Sequence, residues 1–226
     1  MHNFADSSRP VVNCGDYTQW MAASTDLCEL MTSEGSDKGN GWHNYTRIYH
    51  AMFGEQRHAT FSLFELGMGS TNPEIDSNMG PAGRPGASHR GWASYFPNAT
   101  IYGADIDPLI VGGPYDTARI ESAWVDQADP TAIRSLWDDK FPKQQFDIMI
   151  DDGLHEPDAN MTFLEYSCDK LSATGVYVIE DILQEDADYL VARLHRFCAR
   201  KSFEGQMINL PGGGGRDNRL AVLFRC

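Results

Sequence analysis

The sequence predicts an α/β fold built on a mostly parallel β-sheet. From residue 61 onward, short apolar segments alternate with segments of helical periodicity, as strands alternate with crossover helices in such folds. Most strand candidates are almost continuously apolar, which is typical of parallel strands buried on both faces. The last two apolar segments flank a Gly-rich turn and predict an antiparallel hairpin that closes the sheet.

The predicted elements follow in chain order. Seven strands are expected at 61–66, 101–104, 123–125, 146–150, 176–179, 206–210 and 220–224. Helices are expected at 16–31, 45–53, 89–96, 130–137, 158–171 and 185–199. We divide the chain into an N-terminal helical segment, 1–60, which contributes to the active site, and a core, 61–226. The first 15 or so residues predict a loose arm, and the Gly/Pro-rich segments 72–91 and 211–218 predict substrate-holding loops.

Charge and composition exclude several classes of partner. The chain has 226 residues and a net charge of −14, so it repels nucleic acid and anionic lipid unless a basic cluster is present, and none is visible. No apolar run is long enough to span a bilayer, and no basic n-region precedes an apolar stretch. The five cysteines are scattered without a CxxC pair, which favours reduced thiols over a zinc site. We therefore expect a cytoplasmic protein without nucleic-acid or membrane partners.

Two glycines follow the first predicted strand. Gly67 and Gly69 allow the backbone to turn tightly and to approach a ligand closely. A dinucleotide-binding fingerprint needs a third glycine at the position of Asn72, which disfavours a nicotinamide-dependent oxidoreductase. A simple tight turn explains the two glycines equally well, so alone they are a weak signal.

Acidic and amide side chains follow the second and third strands. Asp105 stands where an acidic residue commonly accepts hydrogen bonds from a ribose hydroxyl pair. Asp126 and Gln127 have the chemistry to read an adenine edge, although a helix N-cap region explains them equally well. A solvated carboxylate is the alternative for Asp105. Together with the glycines, these residues favour a nucleoside pocket.

Carboxylates are concentrated after the fourth and fifth strands. Asp151, Asp152 and His155 follow the fourth strand, and Glu180 and Asp181 follow the fifth. If these strands are neighbours, the carboxylates converge and suit a hard cation such as Mg²⁺ or Mn²⁺. His155 is then placed to act as a general base near neutral pH. Solvated carboxylates with helix-capping roles are the alternative.

These motifs resemble those of class I S-adenosylmethionine-dependent methyltransferases. More narrowly, they resemble the metal-dependent sugar O-methyltransferases of macrolide biosynthesis. The shared motifs are ELGMG at 65–69, GADID at 103–107, DDGLH at 151–155, VIED at 178–181, and SDKG at 36–39 followed by His43 and Tyr45. The resemblance covers about residues 33–225, and the DDGLH and IED motifs are its most specific part.

The resemblance implies a Rossmann-like, doubly wound fold with S-adenosylmethionine as cofactor and a bound Mg²⁺ or Mn²⁺. By matching position, it implies that Asp152, Glu180 and Asp181 bind the metal and that His155 is the base. The cofactor-binding residues it implies are Ser36, Glu65, Gly67, Gly69, Ser70, Ser88, Asp105, Asp126, Gln127 and Asp152. It also implies a small-molecule acceptor with a hydroxyl pair, and it allows a homo-oligomer.

The expected activity is therefore transfer of a methyl group to a hydroxyl of a sugar or sugar-bearing natural product. One alternative is a methyltransferase acting on a catechol-like phenol. A metal-dependent hydrolase is disfavoured because hydrolysis needs no nucleoside pocket, and a non-catalytic nucleoside-binding domain needs no base beside a metal. Three aromatic residues, Trp42, Trp92 and Tyr95, are candidates for the acceptor site, but such residues are more often core.

Overall fold

The computed structural model describes residues 23–210 and 216–225, which form a sheet flanked by helices on both faces. Within these ranges, strands β1–β7 are Ser62–Leu66, Thr100–Asp105, Ile120–Trp124, Phe146–Asp151, Leu171–Ile179, Phe203–Asn209 and Arg219–Arg225. Helices α1–α6 are Asp26–Glu34, Tyr45–Phe53, Ala87–Tyr95, Pro130–Ser135, Pro157–Ser167 and Ala187–Lys201.

The sheet has the predicted architecture. Its strand order is β3-β2-β1-β4-β5-β7-β6. Strands β1 to β5 pair in parallel, whereas β7 pairs antiparallel with both β5 and β6. The C-terminal hairpin is therefore confirmed, with β7 inserted between β5 and β6. Because β1 lies between β2 and β4, the chain direction along the sheet reverses between β1 and β4, where ligands bind in open α/β sheets.

Alternating side chains of the strands feed two hydrophobic cores. On one face, Phe64 of β1 and Met149 of β4 pack in a cluster that includes residues of α4, α5 and α6. On the other face, Leu63 and Ile148 pack in a cluster that includes residues of α1, α2 and α3. Each fully buried side chain of this size contributes about 1.5–3 kcal/mol. The two cores explain why the strands are nearly continuously apolar.

Several predicted boundaries are wrong. The first helix of the described ranges begins at Asp26, because the Thr25 side chain caps it by accepting a hydrogen bond from the Cys28 amide at 3.3 Å. Residues 16–22 of that prediction lie outside the described ranges, as does the predicted arm. The fifth strand begins at Leu171 rather than at 176, so helix α5 is shorter than predicted. Helix α4 ends at Ser135 and continues as a π-helical turn.

The two predicted loops differ in outcome. Residues 87–91 belong to helix α3, so only the part before Ala87 is a loop. Of 211–218, residues 211–215 lie outside the described ranges. Three cysteines, Cys28, Cys168 and Cys198, are buried free thiols, as predicted. In the parts of the chain seen here, no helix combines the length and apolar character needed to cross a lipid bilayer.

Candidate functional site

A cavity of about 430 Å³ opens at the carboxyl ends of β1 and β4. All but one of the predicted cofactor residues line it, namely Ser36, Gly67, Gly69, Ser70, Ser88, Asp105, Asp126, Gln127 and Asp152. His155 and Asp181 also line it, as do residues 74–79 of the predicted substrate loop. Glu65 is fully buried and is not among the lining residues. The cavity therefore lies where the residues that follow the predicted strands indicate a ligand site.

The glycine turn after β1 is required by a close backbone contact. Gly67 has φ +90°, and a Cβ added there would lie 1.9 Å from the carbonyl oxygen of Asp152. The Asp152 amide donates to the Leu66 carbonyl oxygen at 3.0 Å, so the loops after β1 and β4 are joined directly. Only glycine allows both this conformation and this approach.

Asp105 fixes the same turn from the side of β2. Its two carboxylate oxygens accept hydrogen bonds from the Met68 amide at 2.7 Å and the Asp107 amide at 2.9 Å. Burial raises the pKa of Asp105, and these two amide hydrogen bonds oppose that rise. The residue lies on the cavity wall, as expected for a ribose contact, and it also shapes the backbone around that wall.

The polar atoms of the Gln127 side chain form hydrogen bonds with other protein groups instead of being free to contact a ligand. Its amide nitrogen donates to Asp151 at 2.7 and 2.9 Å, and its oxygen accepts from the Leu154 amide at 2.7 Å. Asn160 donates to the same Asp151 carboxylate at 3.1 Å. Burial raises the pKa of Asp151 to about 6 against these hydrogen bonds. Gln127 and Asp151 together hold the loop that carries His155.

Asp126 and Gln127 lie in the turn that leads into helix α4, so the alternative of a helix N-cap region describes their place, although neither is the capping residue itself. The N-cap of α4 is Asp129, whose carboxylate accepts from the Thr131 amide. Asp126 accepts a hydrogen bond from the Ala128 amide at 2.9 Å and lies on the cavity wall.

The predicted carboxylate cluster forms because β4 and β5 are neighbours. Asp152 follows β4, and Glu180 and Asp181 follow β5. The Tyr45 hydroxyl donates to Asp181 at 2.6 Å, and the Tyr49 hydroxyl donates to Glu180. Burial raises the pKa values of Glu180 and Asp181, and the neighbouring carboxylates add to that effect. Helix α2 thus supplies hydroxyl donors to two of the three acids.

Lys38 lies at the centre of this cluster, and our sequence reasoning did not single it out. It is buried, and its Nζ donates to Asp152 and to Glu180 and lies 3.2 Å from Glu65 Oε1. Burial alone would lower its pKa, but these carboxylates raise it well above the ordinary value, so the ammonium stays charged. The available signal was the lysine of the SDKG motif, since a lysine is almost never fully buried unless it is paired with an acid.

His155 stands beside the acids with a strained backbone. Its φ is +62°, and that of Asp181 is +54°, a region that non-glycine residues rarely occupy. Its Nε2 lies 3.4 Å from Asp152 and 3.6 Å from Asp181, without a hydrogen-bond partner in the described parts of the chain. Burial alone would lower its pKa, but the carboxylates of Asp152 and Asp181 raise the pKa to about 9.

A second histidine, His43, also reaches the acids. It is buried, its Nδ1 lies 3.6 Å from Asp181, and its ring stacks on Tyr45 at a centroid distance of 4.8 Å. In the sequence, His43 stands out only as part of the motif that follows SDKG, because its separation from Asp181 along the chain hides their proximity. Trp42, directly before it, is 50% exposed.

The other two aromatic candidates belong to the core. Trp92 and Tyr95 are fully buried, so they do not line an acceptor site. The Trp92 indole nitrogen donates to Glu65 at 2.8 Å, which fixes the carboxylate next to Lys38. Glu65 is therefore held by Trp92 beside the Lys38 ammonium and does not line the cavity.

The donor set fits a divalent cation. Asp152, His155 and Asp181 each present a ligand atom within 4.8 Å of the others. Three acids, Glu65, Asp152 and Glu180, lie around the ammonium of Lys38. A fourth acid, Asp181, lies 3.6 Å from His155 Nε2. The four acids therefore outnumber the two positive groups among them. Hard carboxylate oxygens are the ligands that Mg²⁺ and Mn²⁺ prefer. A divalent cation would reduce the repulsion between the carboxylates, which contributes to the raised pKa values of Glu180 and Asp181.

Comparison with known sequences supports the predicted resemblance. No family model matches the chain. The 8-demethyl-8-(2-methoxy-alpha-L-rhamnosyl)-tetracenomycin-C 3'-O-methyltransferase of Streptomyces olivaceus is 33% identical over 158 residues, covering 70% of this chain and 37% of that protein. The demethylmacrocin O-methyltransferase of Streptomyces fradiae is 31% identical over 162 residues, covering 71% and 37%. This chain therefore spans a little over a third of the length of these relatives.

Solved structures show the same fold. The MycE methyltransferase of the mycinamycin biosynthetic pathway, in complex with Mg and SAH, superposes with a TM-score of 0.66. It is 23% identical, and the match covers 90% of this chain and 55% of that one. An O-methyltransferase from Bacillus cereus in complex with SAH has a TM-score of 0.57 at 10% identity, covering 95% and 98%. The methyltransferase fold and the predicted resemblance are confirmed.

Proposed function

Because this chain is a relative of the class I S-adenosylmethionine-dependent sugar O-methyltransferases, we propose that it methylates a hydroxyl of a sugar or sugar-bearing natural product. The observation that carries the proposal is the position of His155 Nε2. It lies 3.4 Å from Asp152 and 3.6 Å from Asp181, on the wall of the cavity at the reversal point of the sheet. A base beside a cation-binding acid cluster is what deprotonation of a weakly acidic hydroxyl requires.

The cofactor pocket is proposed to be the part of the cavity nearest β1 to β3. Gly67 and Gly69 would let the backbone approach the cofactor, and Asp105, which holds this turn through the Met68 amide, would be available to the ribose. Asp126 completes the wall at the adenine end, with Ser36, Ser70 and Ser88 as further polar contacts. Gln127 acts indirectly in this account, by fixing the wall through Asp151.

The metal ligands are proposed to be Asp152, Glu180 and Asp181. When bound, S-adenosylmethionine supplies an activated methyl group and the divalent cation supplies positive charge that acidifies a hydroxyl and offsets the acids that keep His155 protonated. His155 Nε2 accepts the hydroxyl proton, and Asp152 and Asp181 stabilise the imidazolium that results. The in-line approach of the acceptor oxygen depends on the cavity walls holding both reactants close together.

The N-terminal segment is proposed to be part of the active site. Lys38, Tyr45 and Tyr49 reach the acids at the ends of β4 and β5, and His43 lies beside Asp181. The described part of this segment, residues 23–60, and the described part of the core therefore form one catalytic unit in this proposal. A homo-oligomer of this unit is compatible with the proposal, and a mass measurement in solution tests it.

A small molecule with a hydroxyl pair is the proposed acceptor. The net charge of −14 argues against nucleic acid as a partner and against an anionic membrane surface. A cytoplasmic site of action is proposed on the basis of the free thiols of Cys28, Cys168 and Cys198, which are typical of a reducing compartment.

The test is a methyl-transfer assay with methyl-labelled S-adenosylmethionine. The acceptors are a rhamnosylated or olivosylated natural product and a simple catechol, each with Mg²⁺, with Mn²⁺ and with a chelator. We expect metal-dependent labelling of the sugar. Labelling of the catechol alone would support the phenol alternative. Hydrolytic cleavage of an acceptor without transfer of the label would support a hydrolase. The His155→Gln protein is the control for deprotonation.

A further inference from the structure

The Lys38 ammonium is a buried positive charge within the acid cluster. Its side chain is 2% exposed, and it reaches acids that follow or belong to three different strands. Nζ contacts Asp152 and Glu180 directly and lies 3.2 Å from Glu65 Oε1. A lysine that served only to connect the N-terminal segment to the sheet would need one acidic partner. Three partners make Lys38 the positive centre of the cluster.

Two of its partners are also proposed ligands of the divalent cation. Asp152 Oδ2 and Glu180 Oε2 are the oxygens that Lys38 contacts. The other oxygen of Glu180 already accepts the Tyr49 hydroxyl, so neither carboxylate oxygen of Glu180 is without a protein donor. Asp152, His155 and Asp181 remain close enough together to hold an ion, whereas Glu180 is turned toward Lys38. Lys38 and a cation therefore draw on the same oxygens.

We propose that Lys38 is a resident counter-ion that competes with the divalent cation for Asp152 and Glu180 and keeps the acid cluster assembled when the cation is absent. Lys38 is thus a positioning residue, and this inference rests on the proposed cation site. Two positive charges that share carboxylates repel each other strongly in a buried setting. The repulsion weakens cation binding. In return, the acids always have a positive partner, because buried carboxylates without one would strongly destabilise the protein.

The first test compares Mn²⁺ binding by the full chain and by Lys38→Met. Methionine keeps the length of the side chain and removes its charge. By calorimetry, we expect Lys38→Met to bind Mn²⁺ at least tenfold more tightly than the unaltered protein. In thermal unfolding with a chelator, we expect Lys38→Met to have the lower Tm, and Mn²⁺ to raise that Tm by more than it raises the Tm of the unaltered protein.

The matched control is Lys170→Met. Lys170 Nζ donates to the carbonyl oxygens of Trp137, Phe141 and Pro142 at 3.0–3.2 Å. Lys170 lies directly before β5, whereas Glu180 and Asp181 follow the opposite end of that strand. This substitution also removes a partly buried lysine, so it lowers Tm. Its Mn²⁺ affinity is expected to stay within twofold of that of the unaltered protein.

A second measurement needs no variant and holds even if Lys38→Met does not fold. A buried, paired ammonium exchanges its protons slowly, so Lys38 should give a ¹H–¹⁵N signal in the unaltered protein. We expect this signal to shift during a titration with Mg²⁺ and to saturate together with the calorimetric binding curve. A Lys38 signal that stays constant while Mg²⁺ binds would overturn the proposal.

The outcomes separate this inference from the function it rests on. If both proteins bind Mn²⁺ and Lys38→Met binds equally or more weakly, Lys38 has a structural role only and competition is wrong. If neither protein binds Mn²⁺ or Mg²⁺, the cation site itself is wrong and the competition falls with it. Tighter binding by Lys38→Met, with the Lys170→Met affinity unchanged, supports the proposal.

Discussion

The Gln127 amide nitrogen donates to both carboxylate oxygens of Asp151, at 2.7 and 2.9 Å. The same side chain accepts a hydrogen bond from the Leu154 amide, directly before His155. One buried glutamine therefore connects the loop after β3 to the end of β4 and to the loop that carries the proposed base. The geometry of the site depends on a residue that sequence reasoning had assigned to ligand contact.

Replacing Gln127 with leucine should weaken both the fold and the cofactor pocket. The change leaves the Asp151 carboxylate and the Leu154 amide without this partner, at a cost of about 1–3 kcal/mol for each buried group left unsatisfied. We expect a lower Tm and an affinity for S-adenosylhomocysteine reduced at least tenfold, measured by calorimetry. Gln145→Leu, at an exposed site, is the control. Unchanged affinity in Gln127→Leu would show that Gln127 does not shape the pocket.

Replacing His155 with glutamine should slow methyl transfer without loss of cofactor binding. General-base catalysis contributes about 10²–10⁴-fold to a rate, so we expect kcat to fall by that order. The Kd for S-adenosylmethionine should change less than threefold. His58→Gln changes an exposed histidine and serves as the control. A His155→Gln protein with full kcat would mean that ionisation by the cation alone is sufficient.

Replacing Asp152 with asparagine should remove metal dependence and activity together. Asparagine keeps the shape of the side chain and removes the charge that attracts the cation. We expect no Mg²⁺ binding heat in calorimetry and a rate that a chelator no longer affects. Asp139→Asn, at an exposed site in the turn after α4, is the control. Retained Mg²⁺ stimulation in Asp152→Asn would exclude Asp152 as a ligand.

Replacing Gly67 with alanine should destabilise the protein more than the same replacement at Gly80, another glycine with a positive φ. A Cβ at Gly67 would lie 1.9 Å from the Asp152 carbonyl oxygen, whereas Gly80, at φ +72°, has nothing within 4 Å. Backbone strain alone costs about 1–2 kcal/mol, and forced displacement adds about 1–3 kcal/mol. In a denaturant titration, we expect Gly80→Ala to lower the free energy of unfolding only by the cost of backbone strain, and Gly67→Ala to lower it by both amounts. Equal losses for both variants would contradict the close contact.

The sequence was informative where local patterns determine structure. Continuous apolar segments predicted the strands, and the strand ends located Asp152, Glu180 and Asp181, because parallel strands end at one edge of the sheet. The contacts of Lys38 were not predictable in this way. They join residues 114 and 142 positions apart in sequence, through an N-terminal segment whose docking no periodicity describes.

Backbone conformation was the other limit. The left-handed conformations of His155 and Asp181 are not visible in the sequence, since neither residue type favours that region strongly enough to predict it. The helix predicted over 16–31 is not continuous, because residues 23–25 are non-helical and Thr25 caps a helix that begins at Asp26. Glu65 was placed in the cofactor site by motif alone, and its burial against Trp92 and Lys38 was not visible in the sequence.

The most direct test of the account is calorimetric titration of the full chain with S-adenosylhomocysteine, with Mg²⁺ and with a chelator. We predict micromolar binding in the cavity at the ends of β1 and β4, and binding weakened at least tenfold in Gly67→Ala. We also predict a Mg²⁺ heat that disappears in Asp152→Asn. An absence of heat for S-adenosylhomocysteine and for S-adenosylmethionine under every condition would contradict the methyltransferase function.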